Sequence, residues 1–302
     1  MYSSERLKGI DVFVAVVEAG SFTAAAERLS LTNSAVGKAV ARLESRLGVK
    51  LFERTTRKFS LTNAGQAFHR TCLQVLGDLE EAEHVLKAED STPVGKLRLE
   101  LPATYGKLRV MPLLFDFMDR FPSVQPQISF TDRYVDLVEE SVDVAVRIGG
   151  SNNWPAPIGY RYLGHEHRIF CCAPSYVARI GGIPDSSERL QSLDPLLYRR
   201  PDGSPAPWII ERESGLIEHC FPQAKMEIGN AEVHVEALVQ GLGVAQLPTW
   251  VIEAQLDRGE LVEVMPSFAV RGSPLYLLWL RSRHRVPKVS LLLAHLADGL
   301  KV

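Results

Sequence analysis

The chain has 302 residues, with Lys+Arg 34 against Asp+Glu 36 and 46% hydrophobic side chains, too apolar for a disordered chain and long enough for about two domains. No run of about 18 apolar residues is present, which argues against a membrane-spanning helix, and the polar start Met1 to Arg6 does not read as a secretory signal. Cys72, Cys171, Cys172 and Cys220 form no C-x-x-C pair, so neither a disulfide nor a zinc framework is expected, and a reducing cytoplasm fits.

Leu7, Ile10, Phe13, Val14 and Val17 recur at helical spacing and predict an amphipathic helix over 6–18. Gly20 stops it, and Ser21 is a candidate N-cap for a short helix rich in alanine, Ala24 to Ala26 and then Leu29. Thr32 offers a hydroxyl cap to a third helix, Asn33 to Leu47, which Gly48 ends. Its inward stripe is Val36, Val40, Leu43 and Leu47; its outward face carries Asn33, Ser34, Lys38, Arg42 and Arg46. Two short strands, Leu51 to Arg54 and Phe59 to Leu61, follow around a basic tip, Thr55-Thr56-Arg57-Lys58. Between residues 28 and 58 eight basic side chains face only Glu44 and Glu53, although residues 1–90 are neutral in sum. A helix-turn-helix with a basic wing suits DNA: Asn33, Ser34 and Lys38 are placed to read base edges, Arg54, Arg57 and Lys58 to hold phosphates or enter the minor groove, and Arg42 is a further DNA contact on the outward face. A winged helix that docks protein is the alternative this pattern leaves open.

A long helix over 63–88 carries Phe68, Cys72, Val75, Leu79, Ala82 and Leu86 at spacings of four and three. That is a heptad seam for a second copy of the chain, or a stripe packed on its own domain. Acidic residues flank it late (Asp78, Glu80, Glu81, Glu83), and Glu89 to Gly95 reads as a hinge. Beyond it, strands at 97–101, 128–130, 142–148, 169–172, 226–228, 244–247, 261–265 and 275–280 alternate with helices at 106–120, 134–140, 174–180, 231–240 and 287–299. The alternation suggests βαβ units and a mainly parallel sheet.

Phe13-Val14-Ala15-Val16-Val17-Glu18-Ala19-Gly20-Ser21-Phe22-Thr23-Ala24-Ala25-Ala26, Leu47-Gly48-Val49-Lys50-Leu51-Phe52-Glu53-Arg54 and Leu61-Thr62-Asn63-Ala64-Gly65 resemble the N-terminal domain of the LysR-type transcriptional regulators. Asn33 and Gly37 depart from the family's usual Gln and Ser, which leaves DNA binding in place and puts the operator sequence in doubt. Met111-Pro112-Leu113-Leu114, Asp143 to Gly149 and Gly241-Leu242-Gly243-Val244-Ala245 resemble the family's effector domain. The resemblance implies an α+β multidomain chain. A winged helix-turn-helix would occupy 1–62, a linker and dimerisation helix with hinge 63–92, and a two-lobed α/β domain similar to type 2 periplasmic binding proteins 93–302. Lobe I would comprise 93–164 and 268–302, lobe II 165–267. It further implies a homodimer, with a dimer of dimers and contact with RNA polymerase as the family's further options, on double-stranded promoter DNA.

The implied ligand is a small molecule in the cleft between the lobes. Pro102 to Gly106 is expected to present backbone N–H groups and Thr104 at a helix start, where a carboxylate is favoured. Tyr105, Thr131, Asp132 and Arg147 from the first lobe and Tyr198, Asp202, His234 and Gln246 from the second complete the expected effector contacts, and Ser21, Thr23 and Thr32 the DNA contacts. His165-Glu166-His167 alternates across a strand and does not suit a metal. No G-x-S-x-G, Walker or Rossmann glycine pattern occurs, so neither an enzyme nor a cofactor is expected. A solute-binding protein and a nucleoid-type DNA binder are the weaker alternatives.

Overall fold

The computed structural model describes residues 7–55, 58–87, 92–150, 153–182, 193–212 and 214–300. The chain divides into two compact units, Met1–Ser91 and Thr92–Val302. In the first, α1 (Ile10–Ala19), α2 (Phe22–Arg28) and α3 (Asn33–Leu47) precede a hairpin, β1 (Phe52–Thr55) and β2 (Lys58–Leu61), and a long helix, α4 (Asn63–Lys87). The expected caps are in place: Ser21 accepts from the Ala24 N–H at 3.1 Å and Thr32 from Ala35 at 3.2 Å, while Gly20 and Gly48 end their helices with left-handed backbone. Two expectations need correction. The first helix starts only after Gly9, so Leu7 is 55% exposed, and Leu47 leaves the inward stripe of α3 at 37% exposed.

Phe13, Val16, Val36, Val40, Leu43, Leu51 and Phe52 close one core, with the Phe13 and Phe52 rings edge to face at 5.4 Å. Buried Glu44 pins the hairpin to α3, accepting from the Leu51 and Phe52 N–H groups at 2.9 and 3.3 Å and from Lys50 at 2.8 Å. Burial pushes its carboxyl up, but those three donors outweigh it and hold it low. Helix α4 starts against the same corner: Thr62 caps Gly65 N–H at 2.9 Å, and a Cβ on Gly65 would lie 2.0 Å from the Leu51 carbonyl oxygen. Phe68 and Cys72 then pack into this core, whereas Val75 is half-buried and Leu79 is 45% exposed. The side chains of Ala82 and Leu86 lie outside the described residues.

The second unit is built on a seven-stranded sheet containing β3 (Gly95–Leu101), β4 (Val124–Phe130), β5 (Val144–Ile148), β6 (Ile158–Cys172), β11 (Val244–Pro248), β12 (Val262–Val264) and β13 (Val270–Leu280), in the order β11-β6-β13-β5-β3-β4 with β12 also on β6. Outside this sheet β7 (Leu196–Tyr198) pairs with β10 (Met226–Ile228) and β8 (Trp208–Glu211) with β9 (Ile217–Cys220), while α5 (Ala103–Tyr105) follows β3 and α7 (Pro174–Ile180) follows β6. Only β4 and β5 run parallel to β3; β13 is antiparallel to β5 and β6, and β11 and β12 are antiparallel to β6. The expected mainly parallel sheet is therefore a mixed one. The expected helix at 134–140 is a single turn closed by Asp136, whose carboxylate accepts from Val138 and Glu139 N–H.

Four buried apolar clusters sit on this frame among the described residues, and two of them are the cores that position the site. The first gathers Leu97, Leu99, Leu101, Val144, Val146, Leu275 and Leu277 with Leu114 and Phe117 of α6 (Met111–Arg120) and Leu292 and Leu296 of α10 (Pro287–Gly299). The second gathers Ile169, Cys171, Leu196, Ala245 and Leu247 with Val235 and Leu238 of α8 (Ala231–Val239) and Ile252 of α9 (Thr249–Asp257). The long strands β6 and β13 pass from one core to the other, with register shifts between Arg271 and Pro274 and between Leu275 and Tyr276.

Candidate nucleic-acid interface and effector cleft

In the first unit, the N-terminal end of α3 carries exposed Asn33, Ser34 and Lys38, with exposed Arg42 one turn further on. Asn33 Nδ2 donates to the Thr23 hydroxyl of α2 at 3.1 Å, so a second helix fixes the direction of this amide. The hydroxyls of Ser21 and Thr32 are committed to capping. Two basic residues of the block are paired, Arg28 with Glu18 at the surface and Lys50 with the buried Glu44. The β1–β2 hairpin follows with Arg54 opposite Phe59 and Thr55 opposite Lys58. Arg57, and the side chains of Arg54 and Lys58, lie outside the described residues. A basic helix face beside a hairpin is the geometry of a winged helix that enters a major groove.

In the second unit, the segment after β3 is helical from Ala103, where the sequence suggested a loop, and Thr104 is only 5% exposed. The start of this helix already holds a carboxylate: Asp132 Oδ1 accepts the Ala103 N–H at 3.0 Å. Its other oxygen accepts the Tyr198 hydroxyl at 3.2 Å, which ties the first core's strand ends to the second core. Burial, and then Asp132, push the Tyr198 hydroxyl up to about 12. Lys107 pairs with Glu232 of α8, and Arg109 with Glu253 of α9 and the Trp250 carbonyl, across the same divide. Tyr105 and Trp250 meet edge to face at 5.0 Å.

The remaining expected contacts are placed differently from one another. Thr131 Oγ1 accepts from Arg133 N–H at 3.1 Å in a local turn. Arg147 donates to the Arg133 carbonyl and lies over the Tyr134 ring at 5.0 Å; the nearby acid Asp143 is instead taken by Arg283 and the Arg98 N–H. Asp202 is exposed and caps Ser204. Gln246 is buried and spends its amide on both backbone groups of Ile209, at 2.8 and 2.7 Å. His234 is buried, with Nε2 3.2 Å from the Leu196 carbonyl and Nδ1 without a partner. Burial lowers its pKa to about 4, and Arg168 adds to that effect.

Arg168 on β6 was not singled out by the sequence. Its Nη2 donates to the Gln246 carbonyl at 3.4 Å, and its buried Nε has no partner. Two residues earlier, buried Glu166 accepts from Trp250 Nε1 at 2.9 Å and Ser273 N–H at 3.2 Å, and burial raises its carboxyl pKa. No local signal marks this pair, because its burial comes from strands β11 and β13, far along the chain. Among the described residues no group of three His, Cys, Asp or Glu is placed to hold a metal ion, and no helix is long and apolar enough to cross a membrane.

The family model "Bacterial regulatory helix-turn-helix protein, lysR family" matches residues 7–66, and "LysR substrate binding domain" matches residues 90–301. An HTH-type transcriptional repressor of Pseudomonas aeruginosa is 31% identical over 281 residues, covering 93% of this chain and 87% of its own. The HTH-type transcriptional activator AaeR of Escherichia coli is 31% identical over 296 residues, covering 97% and 94%. The solved structure of CrgA, a LysR-type transcriptional regulator from Neisseria meningitidis, is 27% identical, covers 99% of each chain and superposes with a TM-score of 0.61. The chain belongs to the LysR-type transcriptional regulators, and it is a DNA-binding regulator with a substrate-binding domain, not an enzyme.

Proposed function

We propose that this regulator is a cytoplasmic homodimer whose grip on promoter DNA is set by a small anionic metabolite held between the two cores of its second unit. Asn33, Ser34 and Lys38 read base edges; Arg42 and the wing residues Arg54, Arg57 and Lys58 hold phosphates. Helix α4 pairs with its copy beyond the part already used by its own head. The observation that carries the sensor reading is the bridge between the two cores. Asp132–Tyr198, Lys107–Glu232 and Arg109–Glu253 are polar contacts that a ligand can replace or reinforce, and β6 and β13 are the strands about which the cores can move. A ligand switches such a domain only by binding its two arrangements unequally. The anionic class is supported by Arg168 and Arg200, which lie close enough in this neighbourhood to act on each other's charge.

The test is calorimetry of the full chain against a panel of small carboxylates and their matched amides, followed by promoter footprinting with and without the best binder. Acids are expected to bind at least about tenfold more tightly than amides, as befits charge-assisted hydrogen bonds, and to change the footprint. Amides that bind equally well would remove the anionic class, and an unchanged footprint would remove the sensor.

A further inference from the structure

We propose that Arg168, and not the helix start at Ala103, is the anion anchor of the effector domain: its methylenes Cγ and Cδ lie over the bare backbone of Gly272, and its guanidinium takes the acid group of the ligand. This rests on the reading of the second unit as an anion sensor. The helix start is an unfavourable place for a second carboxylate, because Asp132 already occupies it and would repel one. Arg147 is diverted to the Arg133 carbonyl and the Tyr134 ring. Lys107 and Arg109 are each closed by a carboxylate.

Arg168 differs from all of these. Five N–H groups make up a guanidinium, and here one long bond to a carbonyl is the contact it makes among the described residues. Its Nε is sealed from solvent with no acceptor, a state it shares with Arg109 Nε, but Arg109 has Glu253 as its ion-pair partner and Arg168 has no carboxylate partner among the described residues. Glu166, whose charge it feels, has each oxygen already engaged by Trp250 or Ser273. The cradle is specific to glycine: a Cβ on Gly272 would lie 2.7 Å from Cγ and Cδ of Arg168 and 3.1 Å from Cβ of Glu166. Around it stand the second-core residues expected to touch ligand: His234, kept neutral, and Gln246, whose amide is used up by Ile209. A half-buried planar donor fork whose Nε lacks an acceptor matches a carboxylate bidentately.

Acetate is the probe, since it carries the acid group and little else, with acetamide as its neutral twin at matched ionic strength. The readout is the Trp250 indole N–H resonance in full-length protein labelled with 15N-tryptophan and assigned by Trp250→Phe. That proton sits on Glu166 beside Arg168 and is blind to anions on the DNA-reading head. Acetate is expected to move this resonance and acetamide to leave it in place. Arg168→Met should weaken the acetate response about tenfold or more, and Arg168→Lys should recover part of it. Gly272→Ala, which keeps the charge and fills the cradle, should weaken it as well. An unaltered response in Arg168→Met overturns the anchor while leaving an anion site standing. Equal responses to acetate and acetamide overturn the anionic reading itself, and a wild-type resonance that ignores acetate overturns the anchor.

Discussion

His234 lies 1% exposed on α8, with its Nε2 against the Leu196 carbonyl and burial and Arg168 both opposing a second proton. Its pKa of about 4 in the folded chain stands below the ordinary 6.5. The unfolded chain therefore takes up the proton first as the pH falls. Stability from this residue is constant above about pH 7 and is lost between about pH 6.5 and 4, by up to about 3 kcal/mol. Unfolding free energies measured from pH 7 to pH 4 in wild type and His234→Gln should diverge by that order, with the variant losing less; parallel curves would show that the ring is not buried neutral. A lone His on a helix is visible in sequence, but its role is not. The sequence names His234 and Gln246 as ligand contacts from their position at element ends, and the structure commits both to backbone carbonyls or amides. Asn33 is the opposite case: local spacing alone puts it on the exposed end of α3, and what sequence could not supply is its bond to Thr23, named only as a DNA contact, which orients the amide.

At the scale of elements, the proposed dimer gives α4 two purposes along one stripe. Its first turns, with Phe68 and Cys72, complete the core of the reading head: the Phe68 ring lies 5.5 Å from Phe13, and burial raises the Cys72 thiol to about 11, which makes it an inert filler. Leu79, two turns on from Cys72, is exposed and free for a second copy. The two ends should respond differently to substitution. Phe68→Ala should destabilise the head by about 2 kcal/mol with the dimer retained. Leu79→Glu should alter the head by less than about 0.5 kcal/mol, a surface effect, and shift sedimentation at micromolar protein toward monomer. A Leu79→Glu protein that remains a dimer would place self-association elsewhere. A regular spacing of four and three cannot tell these purposes apart, because both need the same stripe. Helices α1 to α3 were legible because caps and stops are local chemistry; the sheet was not. The pairing of β6 with β13 joins residues about a hundred positions apart, and β6 itself, with Gly159, Gly164 and a run of tyrosine, arginine and histidine, lacks the apolar alternation that announces a strand. Helix α9 is likewise absent from the sequence reading: its N-cap is Pro248, which makes no side-chain cap hydrogen bond that would announce the start.

For the molecule as a whole, one chain carries a reading head and a sensing unit, and the bridges of the sensing unit join two of its cores on shared strands. The energetic scale of the bridges between those cores decides how easily a ligand can act. Lys107 and Glu232 are 61% and 48% exposed at 2.9 Å, and a pair so solvated is worth at most about 1 kcal/mol. Tyr198–Asp132 is an ordinary hydrogen bond of similar worth. Neither locks the cores, and the stability of each core comes from its buried aliphatic side chains. Glu232→Gln should therefore leave the melting temperature within about 3 °C of wild type. The same substitution removes a contact made only when the two cores face each other as described, so it should shift the balance between lobe arrangements by up to about fivefold. Apparent affinity for an acid ligand is expected to change by that factor, measured by calorimetry on the full chain, while affinity for operator DNA without ligand changes no more than this. A loss of more than about 2 kcal/mol in ligand binding would mean that Glu232 or Lys107 touches the ligand, and a large fall in melting temperature would mean that the bridge holds the domain together.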